Sequence, residues 1–383
     1  MDILFFKESV FEILKTTNLP IIIYGAGGQG KRLAKSLKEK NIDIFCFCVS
    51  ENRLNLKELE GVKVMSYEDV TFKVKKYILL VSVTQKYASE IALLLKQKRE
   101  KNKYFFLQMP FKVENNFLDI EEISKGEYKN VLELFEDKIS KDLFIDILKY
   151  KVTGDGRNLY SKISGRSFFE DELLVDKRYT YVDCGAYTGD TIMKFCQFAG
   201  LNYNKIVGIE METGNYYKLK EFVKLSHLEN VVLLNKGLWS QKTQSKYFTT
   251  SHYNFANANL FANVDDVSSE KEKKHYKQIN SEMIEVQTEL LSLDEILVNI
   301  DLREQELYHL LIKVNAMGAD FEILKGAKKV IEQYKPIFVI EFGTKKEHLI
   351  EIPKFLKEIK PDYKIYLRQK EIFTDSKTVL YCI

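Results

Sequence analysis

Two acids and two glycines near the middle of the chain have the types and spacing of a nucleoside site. Within residues 179–191, a β-rich run closes at Asp183, and a turn with Gly185 and Gly189 leads into an amphipathic helical pattern. A strand, a glycine turn and a helix bring the backbone close to a nucleotide-like ligand at the carboxyl end of the strand. Glu210 closes the next apolar run, where a carboxylate can accept both ribose hydroxyls of a nucleoside. The pattern therefore predicts a ligand site along this edge of a parallel sheet.

Further along the chain, two more stretches could complete such a site. The apolar run 231–235 ends at Asn235, and residues 236–240 after it could line an adenine pocket. Residues 249–259 are rich in aromatic and amide side chains, which suit sugar rings, and they contain His252. Long irregular loops usually carry specificity, so a carbohydrate ligand is one expectation for residues 241–285. The alternative is that part of this stretch, residues 265–280, is a disordered insertion.

A second glycine-rich turn lies near the N-terminus. Gly25, Gly27 and Gly30 have the G-x-G-x-x-G spacing, after the apolar run 19–24 and before a helix onset. Where a dinucleotide site has an acid at the end of the second strand, this chain has Ser50. The turn either binds a nucleotide or nucleotide-sugar, or only allows tight strand–helix packing in a structural or docking domain. The stretch resembles the small Rossmann-like modules at the front of sugar-modifying bacterial enzymes.

Length and charge limit the classes of protein to consider. At 383 residues the chain is expected to form two domains. Its net charge of +3 comes from 58 basic and 55 acidic residues that are interspersed, so nothing indicates a nucleic-acid partner. Five scattered cysteines and five histidines show no zinc spacing, so no metal site is predicted, although a loosely held divalent cation stays open. With no signal peptide pattern and no apolar run approaching about 20 residues, a cytoplasmic protein without an integral membrane segment is expected.

The alternation of apolar runs with helical patterns predicts an α/β protein with two doubly wound domains. Residues 1–110 are expected to form a small Rossmann-like domain, with a helix over 2–15 and strands at 42–49 and 77–83. Residues 114–150 are charged and helical, which indicates a helical bridge over residues 111–167, and residues 168–383 are expected to form the second α/β domain.

The second domain resembles the FkbM family of S-adenosylmethionine-dependent methyltransferases. The resemblance is carried by residues 311–327, 336–341, 351–356 and 362–368, in order and spacing, and it extends from about residue 168 to the C-terminus. It implies a Rossmann-like class I methyltransferase fold, with parallel strands ending near Asp183, Glu210, Asn235, Asn315 and Glu341. The segments 363–368 and 378–383 would form an antiparallel C-terminal hairpin.

The resemblance also implies roles for individual residues. Those expected to bind S-adenosylmethionine are Asp183, Cys184, Gly185, Tyr187, Gly189, Asp190, Thr191, Glu210, Met211, Asn235, Gly237 and Asn315. Those expected in catalysis are Asp320 and Glu341 as general bases, Lys313 as an orienting cation, and His252 as a further option.

Each candidate catalytic residue also has a structural interpretation. Asp320 would only begin a helix, Glu341 would pair with a lysine, and Lys313 would be a solvated strand residue. His252 would be a surface loop residue. Two departures from the family pattern matter here: Asn315 and Met317 stand where the family usually has acids. Asn315 can form hydrogen bonds but cannot act as a base.

The favoured function is therefore an S-adenosylmethionine-dependent O-methyltransferase acting on a sugar hydroxyl of a bacterial glycan or glycan precursor. One alternative is a non-catalytic cofactor-binding module of the same fold. Another is a nucleotide-dependent sugar-modifying enzyme that works through the N-terminal domain. The expected partner is a small-molecule or glycan acceptor, and assembly into a homo-oligomer stays open.

Overall fold

The structure is a computed structural model, and it describes most of the chain. The described residues are 10–107, 118, 120–124, 126–153, 156, 159, 162–164, 168–169, 173–174, 178–250, 260–261, 283–300, 302–316, 318–343, 345–370 and 378–383. The chain divides into two compact units. Unit 1 comprises residues 1–166, 342–350 and 367–378, and unit 2 comprises residues 167–341, 351–366 and 379–383. The domain limits predicted at residues 110 and 167 stay a prediction.

Up to residue 166 the described helices and strands alternate as in an α/β protein. They are α1 (Val10–Thr16), β1 (Ile21–Tyr24), α2 (Gly28–Glu39), β2 (Cys46–Val49), a 3-10 turn (Glu51–Arg53), β3 (Glu58–Leu59), β4 (Val62–Ser66), α3 (Tyr67–Lys73), β5 (Ile78–Val81), α4 (Gln85–Gln97), β6 (Lys103–Phe106), α5 (Ile120–Ser124), α6 (Glu127–Leu132) and α7 (Lys138–Thr153).

From residue 180 onward a second α/β series follows. It consists of β7 (Thr180–Cys184), α8 (Asp190–Ala199), β8 (Lys205–Ile209), α9 (Thr213–Leu225), β9 (Val231–Leu234), β10 (Gly237–Leu238), β11 (Thr243–Thr250), β12 (Leu260–Phe261), β13 (Met283–Leu291), α10 (Leu293–Asn299), α11 (Glu304–Leu307), β14 (Leu310–Val314), α12 (Asp320–Lys325), α13 (Lys328–Tyr334), β15 (Ile337–Phe342), α14 (His348–Ile359), β16 (Ile365–Gln369) and β17 (Thr378–Cys382).

Unit 1 contains a six-stranded sheet in the order β3-β4-β2-β1-β5-β6. All its pairings are parallel except that of β3 with β4. Every residue of β1 and β5 is buried, as expected for parallel strands covered on both faces. One core cluster joins Ile21 and Ile23 to α2, and the other joins Ile22 and Tyr24 to α4. The sheet is therefore doubly wound.

The C-terminal segments of unit 1 are held by α7. The backbone N–H of Leu367 donates to Ser140 Oγ at 2.8 Å, and Arg368 Nη2 donates to Asp137 Oδ2 at 2.8 Å. Partial burial alone would raise the pKa of Asp137, but the hydrogen bonds from Arg368 and Ser140 outweigh it and lower that pKa. These contacts are formed by residues far apart in the sequence, so no local pattern indicates them.

A seven-stranded sheet in the order β16-β17-β15-β14-β7-β8-β9 dominates the second series. β7 lies between β14 and β8, and both pairings are parallel, with Lys313 opposite Asp183 in the register of β14 and β7. Near the C-terminus Lys364 and Ile383 exchange both backbone hydrogen bonds, at 2.8 and 2.9 Å, which is the antiparallel pattern. The predicted α/β class, with two doubly wound domains and an antiparallel C-terminal hairpin, is confirmed.

A small second sheet, in the order β10-β13-β11-β12, was not predicted. β11 and β13 pair antiparallel over eight residues each, from Thr243 opposite Leu290 to Thr250 opposite Met283. The sequence predicts an irregular stretch over residues 241–285, because their polar and aromatic residues have no clean alternation. Pairing between distant strands organises both ends of this stretch, and residues 251–259 and 262–282 lie outside the described residues.

Other differences concern element limits. The strand predicted from residue 42 begins at Cys46, and β6 was not predicted at all. Of the helix predicted over residues 2–15, the structure describes the part from Val10, which continues to Thr16. None of the described helices is both long and apolar enough to cross a lipid bilayer.

Candidate functional site

A buried ion pair lies beneath the glycine turn that follows β7. Lys313 Nζ donates to Asp183 Oδ1 at 2.9 Å, and the two side chains are 2% and 0% exposed. The other carboxylate oxygen of Asp183 accepts from Tyr181 OH at 3.0 Å and from Thr191 Oγ1 at 2.5 Å. Burial alone would lower the pKa of Lys313, but the attraction of Asp183 outweighs it and holds that pKa above its ordinary value.

Lys313 also fixes the backbone of the turn. Its ammonium donates to the carbonyl oxygen of Gly185 at 2.8 Å. The side chains of Asp183 and Lys313 therefore lie in the protein interior. Their hydrogen bonds connect β7 and β14 to the turn and to the start of α8. The interpretation of Lys313 as a solvated strand residue is wrong. The expected contacts of Asp183 with a cofactor and of Lys313 with an acceptor stay predictions.

The turn itself requires glycine at two positions. Gly185 and Gly189 have φ values of +85° and +95°, which L side chains rarely adopt. A methyl group at Gly185 would overlap the carbonyl oxygen of Asn315, and one at Gly189 would overlap the ring of Phe222. Gly189 is also the N-cap of α8, and it offers no side chain to the N–H groups of the first turn. The start of α8 therefore presents backbone donors, with exposed Asp190 as its first residue.

Glu210, at the end of β8, reaches back to the same turn. Its Oε2 accepts from the backbone N–H of Tyr187 and its Oε1 from that of Glu212, both at 2.8 Å. The residue is 8% exposed, and burial raises the pKa of its carboxyl group. Since each carboxylate oxygen has about two acceptor positions, each can accept one further hydrogen bond.

Asn235, at the end of β9, adjoins Glu210. Its Nδ2 donates to the carbonyl oxygens of Glu210 and Met211 at 2.9 and 3.0 Å, and its Oδ1 accepts from Thr213 Oγ1 at 3.2 Å. A Cβ at Gly237 would lie 3.3 Å from Met211 Sδ, so these two residues are also neighbours. The structure thus brings Tyr187, Glu210, Met211, Asn235 and Gly237 together at the carboxyl ends of β7, β8 and β9.

A second group of polar residues lies at the ends of β14 and β15. Asn315 Nδ2 donates a short hydrogen bond to Glu341 Oε2, and the backbone N–H of Asn315 donates to Cys184 O at 3.1 Å. Glu341 is 7% exposed, whereas Asn315 is partly exposed. Cys184 itself is fully buried, and burial raises the pKa of its thiol. The Asn315–Glu341 pair places an amide and a carboxylate beside the glycine turn.

Asp320 holds the backbone directly before α12. Its two carboxylate oxygens accept from the backbone N–H groups of Ala316 and Gly318, at 2.8 and 3.0 Å, and its side chain is 1% exposed. Asp320 is also the first residue of α12, where a negative charge is favoured by the helix dipole. Its predicted role as a base stays a prediction. His252 and Met317 lie outside the described residues.

Two residues of the site were missed from the sequence. Tyr181 donates to the buried carboxylate of Asp183. Glu212 caps α9 by accepting from the backbone N–H of Asn215 at 2.6 Å. Glutamate is not among the residues that usually cap a helix, so no standard cap signal identified Glu212. The described residues contain no group of three or more His, Cys, Asp or Glu side chains arranged to hold a metal ion.

Comparison with known proteins gives two family matches. Residues 183–363 match the model of the methyltransferase FkbM domain, and residues 17–103 match the model described as C2185-like, N-terminal. A search of curated proteins finds no match to the chain.

One solved structure is similar over nearly the whole of this chain. The methyltransferase FkbM from Methylobacillus flagellatus KT is similar with a TM-score of 0.69 at 16% identity, over 98% of this chain and 93% of that one. An rRNA methylase from Streptococcus thermophilus aligns over 54% of this chain and 86% of its own, at 12% identity and a TM-score of 0.27. The second likeness is too weak to bear on fold or function. Over residues 183–363, the chain is therefore similar to the FkbM family of methyltransferases.

Proposed function

We propose that the protein is an S-adenosylmethionine-dependent O-methyltransferase whose acceptor is a sugar hydroxyl of a bacterial glycan or glycan precursor. The observation that carries the proposal is the grouping of Glu210, the glycine turn and the Asn315–Glu341 pair at the carboxyl ends of β8, β7, β14 and β15. In open α/β sheets, ligands bind at this edge. At this edge, residues that could bind a methyl donor lie beside residues that could bind its acceptor.

The residues present fit the cofactor by the chemistry of their donors and acceptors. Glu210 keeps one acceptor position on each oxygen, which suits the two ribose hydroxyls. The start of α8, without a capping side chain at Gly189, suits the carboxylate of the methionine portion. Met211, Asn235 and Gly237 would line the adenine. When bound, S-adenosylmethionine supplies an electrophilic methyl group on a sulfonium centre.

The buried pair of Lys313 and Asp183 acts through the turn in this proposal. By holding Gly185 O and Thr191 Oγ1, the pair fixes both ends of the segment against which the cofactor would lie. Positioning of this kind matters because in-line transfer requires the reacting atoms within a narrow range of distance and angle. Lys313 and Asp183 are therefore positioning residues, and Asp320 has the same role for Ala316 and Gly318.

Glu341 is the residue we assign as general base. A sugar hydroxyl has a pKa far above 7, so its oxygen becomes a better nucleophile when a carboxylate accepts the proton. As the acceptor oxygen gains the methyl group, it loses its proton to Glu341. Asn315 Nδ2 orients the carboxylate through its hydrogen bond to Oε2. A sugar acceptor is supported by the amide and aromatic side chains of residues 249–259, and His252 among them is retained as a proposed contact to the acceptor.

A non-catalytic module of the same fold is the second candidate, because Asn315 stands where the family usually has an acid. The two candidates agree on cofactor binding and differ on transfer. Both can be tested with purified full-length protein in two assays, binding by calorimetry and transfer of a radiolabelled methyl group to nucleotide sugars and glycan extracts.

For binding, Glu210→Gln is compared with Glu221→Gln, which changes an exposed residue of α9. Hydrogen bonds to a charged group contribute about 1.5–3 kcal/mol, so we expect Glu210→Gln to weaken binding by about 10-fold to 100-fold and Glu221→Gln to have no effect. Equal affinity of the two variants would contradict the assigned site.

For transfer, Glu341→Gln should bind the cofactor normally and lose at least about 100-fold in rate, the usual contribution of a general base. An unchanged rate would remove Glu341 from the mechanism. Cofactor binding by the wild type without transfer to any acceptor would favour the non-catalytic module.

A further inference from the structure

We propose that unit 1 carries a second ligand site, between the turns that follow β1 and β5, and that it binds the phosphates of a nucleoside diphosphate or a sugar-linked form of it. This inference goes beyond the methyltransferase activity and concerns a different sheet. It rests on the topology of that sheet, on two of its glycines and on a buried hydroxyl.

The place is the point where the strand order of the sheet reverses. From β1 the chain proceeds through α2 to β2 and then to β4 on one side, and it returns to β5 and β6 on the other side. At such a point the connections leave a crevice outside the carboxyl ends of the two central strands. Here residues 25–28 and residues 82–84 border that crevice.

Two of the four glycines in the first turn are explained by packing. Gly25 has a φ of +121°, and a Cβ there would lie 2.5 Å from Ser82 O. A Cβ at Gly30 would overlap the carbonyl oxygen of Gly25. Gly25 therefore allows the turn to approach Ser82, and Gly30 allows α2 to approach the turn; neither glycine requires a ligand.

The other two glycines have no such explanation. A Cβ at Gly27 would meet nothing within 4 Å, and one at Gly28 would meet only Arg32 Nη1, at 3.7 Å. Both glycines are exposed, and Gly27 is the N-cap of α2, a helix of 12 residues, with no side-chain hydrogen bond to the first turn. The absence of side chains keeps this helix start open to an anion, and the guanidinium of Arg32 lies beside it.

The second, independent observation is the hydroxyl of Ser82. Ser82 follows β5 and is 1% exposed, yet its Oγ has no hydrogen-bond partner among the described residues. Strand alternation puts Ser82 on the face of Ile78 and Leu80, which is the face that α2 covers. The backbone carbonyl of Ser82 adjoins Gly25, so Ser82 borders the first turn. A buried hydroxyl without a hydrogen-bond partner is unfavourable, and a ligand oxygen would remove that cost.

The end of β2 limits the kind of nucleotide. Ser50 occupies the place of the acid that holds ribose hydroxyls in dinucleotide sites, and it shares a hydrogen bond of 2.8 Å with Tyr24 OH. Glu51, the next residue, is exposed in the 3-10 turn. Without an acid at this place, the ribose hydroxyls of NAD lack their usual acceptor, which favours nucleoside diphosphates over NAD.

The test is calorimetric titration of the full-length wild type with pyrophosphate, ADP, UDP, UDP-N-acetylglucosamine and NAD. S-adenosylmethionine is titrated separately, so that the proposed cofactor site and the proposed nucleotide site are tested independently. We expect at least one of the uridine or adenosine diphosphates to bind at least 10-fold more tightly than pyrophosphate and than NAD. If no probe binds, the proposal is overturned. If pyrophosphate binds as tightly as every nucleotide, the assignment to a nucleoside diphosphate is overturned.

Variants locate the site. Gly27 has an extended backbone with φ −96°, so Gly27→Asp and its neutral counterpart Gly27→Asn both fit and both supply a favourable N-cap. We expect the Asp variant to bind the nucleotide at least 10-fold more weakly than the Asn variant, because only Asp repels phosphate. Ser82→Ala should weaken binding several-fold without lowering the melting temperature of the ligand-free protein. Equal affinity of the two Gly27 variants would overturn the location.

Discussion

The strongest test of the site's architecture is the buried pair of Lys313 and Asp183. In Lys313→Met the side chain keeps its length and loses its charge, so the carboxylate of Asp183 stays buried without its cation. Removing one partner of a buried pair costs about 3–5 kcal/mol. The carbonyl oxygen of Gly185 also loses its hydrogen-bond donor in this variant. We expect Lys313→Met to lower the free energy of unfolding by about 3–5 kcal/mol.

The control is another lysine of unit 2 with a similar ion-pair distance. Lys335 pairs with Asp362 at 2.8 Å, but the two side chains are 37% and 67% exposed. Exposed pairs contribute about 0–1 kcal/mol, so Lys335→Met should have little effect. Urea unfolding followed by fluorescence is suitable, since the only tryptophan of the chain, Trp239, belongs to unit 2.

Two further measurements distinguish the contribution of the ion pair from that of side-chain packing. In a double-mutant cycle with Asp183→Asn, the loss in the double variant should fall short of the summed single losses by about 1–3 kcal/mol. The pKa of Lys313 is raised above 10.5, so the stability it contributes is fully present below pH 10.5 and is lost as the pH rises through the raised value. The difference between wild type and Lys313→Met should therefore shrink above that pH. A loss below about 1 kcal/mol in Lys313→Met, or additive losses in the cycle, would refute the reasoning.

Two other predictions concern the glycine turn and a buried amine. Gly185→Ala should destabilise unit 2 by more than about 3 kcal/mol in the same unfolding assay, because it adds an overlap with Asn315 O to an unfavourable φ. The control is Gly200→Ala, at φ +62° with open space around it, which should cost only about 1–2 kcal/mol. Similar losses in the two variants would contradict the overlap. Burial lowers the pKa of Lys370 from 10.5 to about 7, so the folded protein binds fewer protons than the unfolded chain between these values, and stability should rise with pH there. Lys370→Met should remove this rise and increase the free energy of unfolding near neutral pH by up to about 4 kcal/mol. Unfolding followed by circular dichroism at several pH values measures both effects. If stability depends on pH in the variant as it does in the wild type, the prediction is contradicted.

Several features could be read from the sequence because neighbouring residues determine them. The apolar runs that became β1, β5, β7 and β14 are buried on both faces, and such runs have few other stable arrangements. Gly185 and Gly189 mark a turn with positive φ, which few other residues adopt. The position of Glu210 at the tip of β8 follows from the length of the preceding run.

Only the tertiary structure decided what the side chains at these positions contact. Asp183 was expected at a ligand, yet its carboxylate is satisfied by Lys313, Tyr181 and Thr191, and Lys313 is 130 residues away in the sequence. The Asn315–Glu341 pair and the pairing of β11 with β13 likewise depend on strands that meet only in the folded chain. Local sequence sets backbone conformation and burial, because these depend on nearby residues. The partners of a buried charge are set by strand order and register, which the whole chain determines.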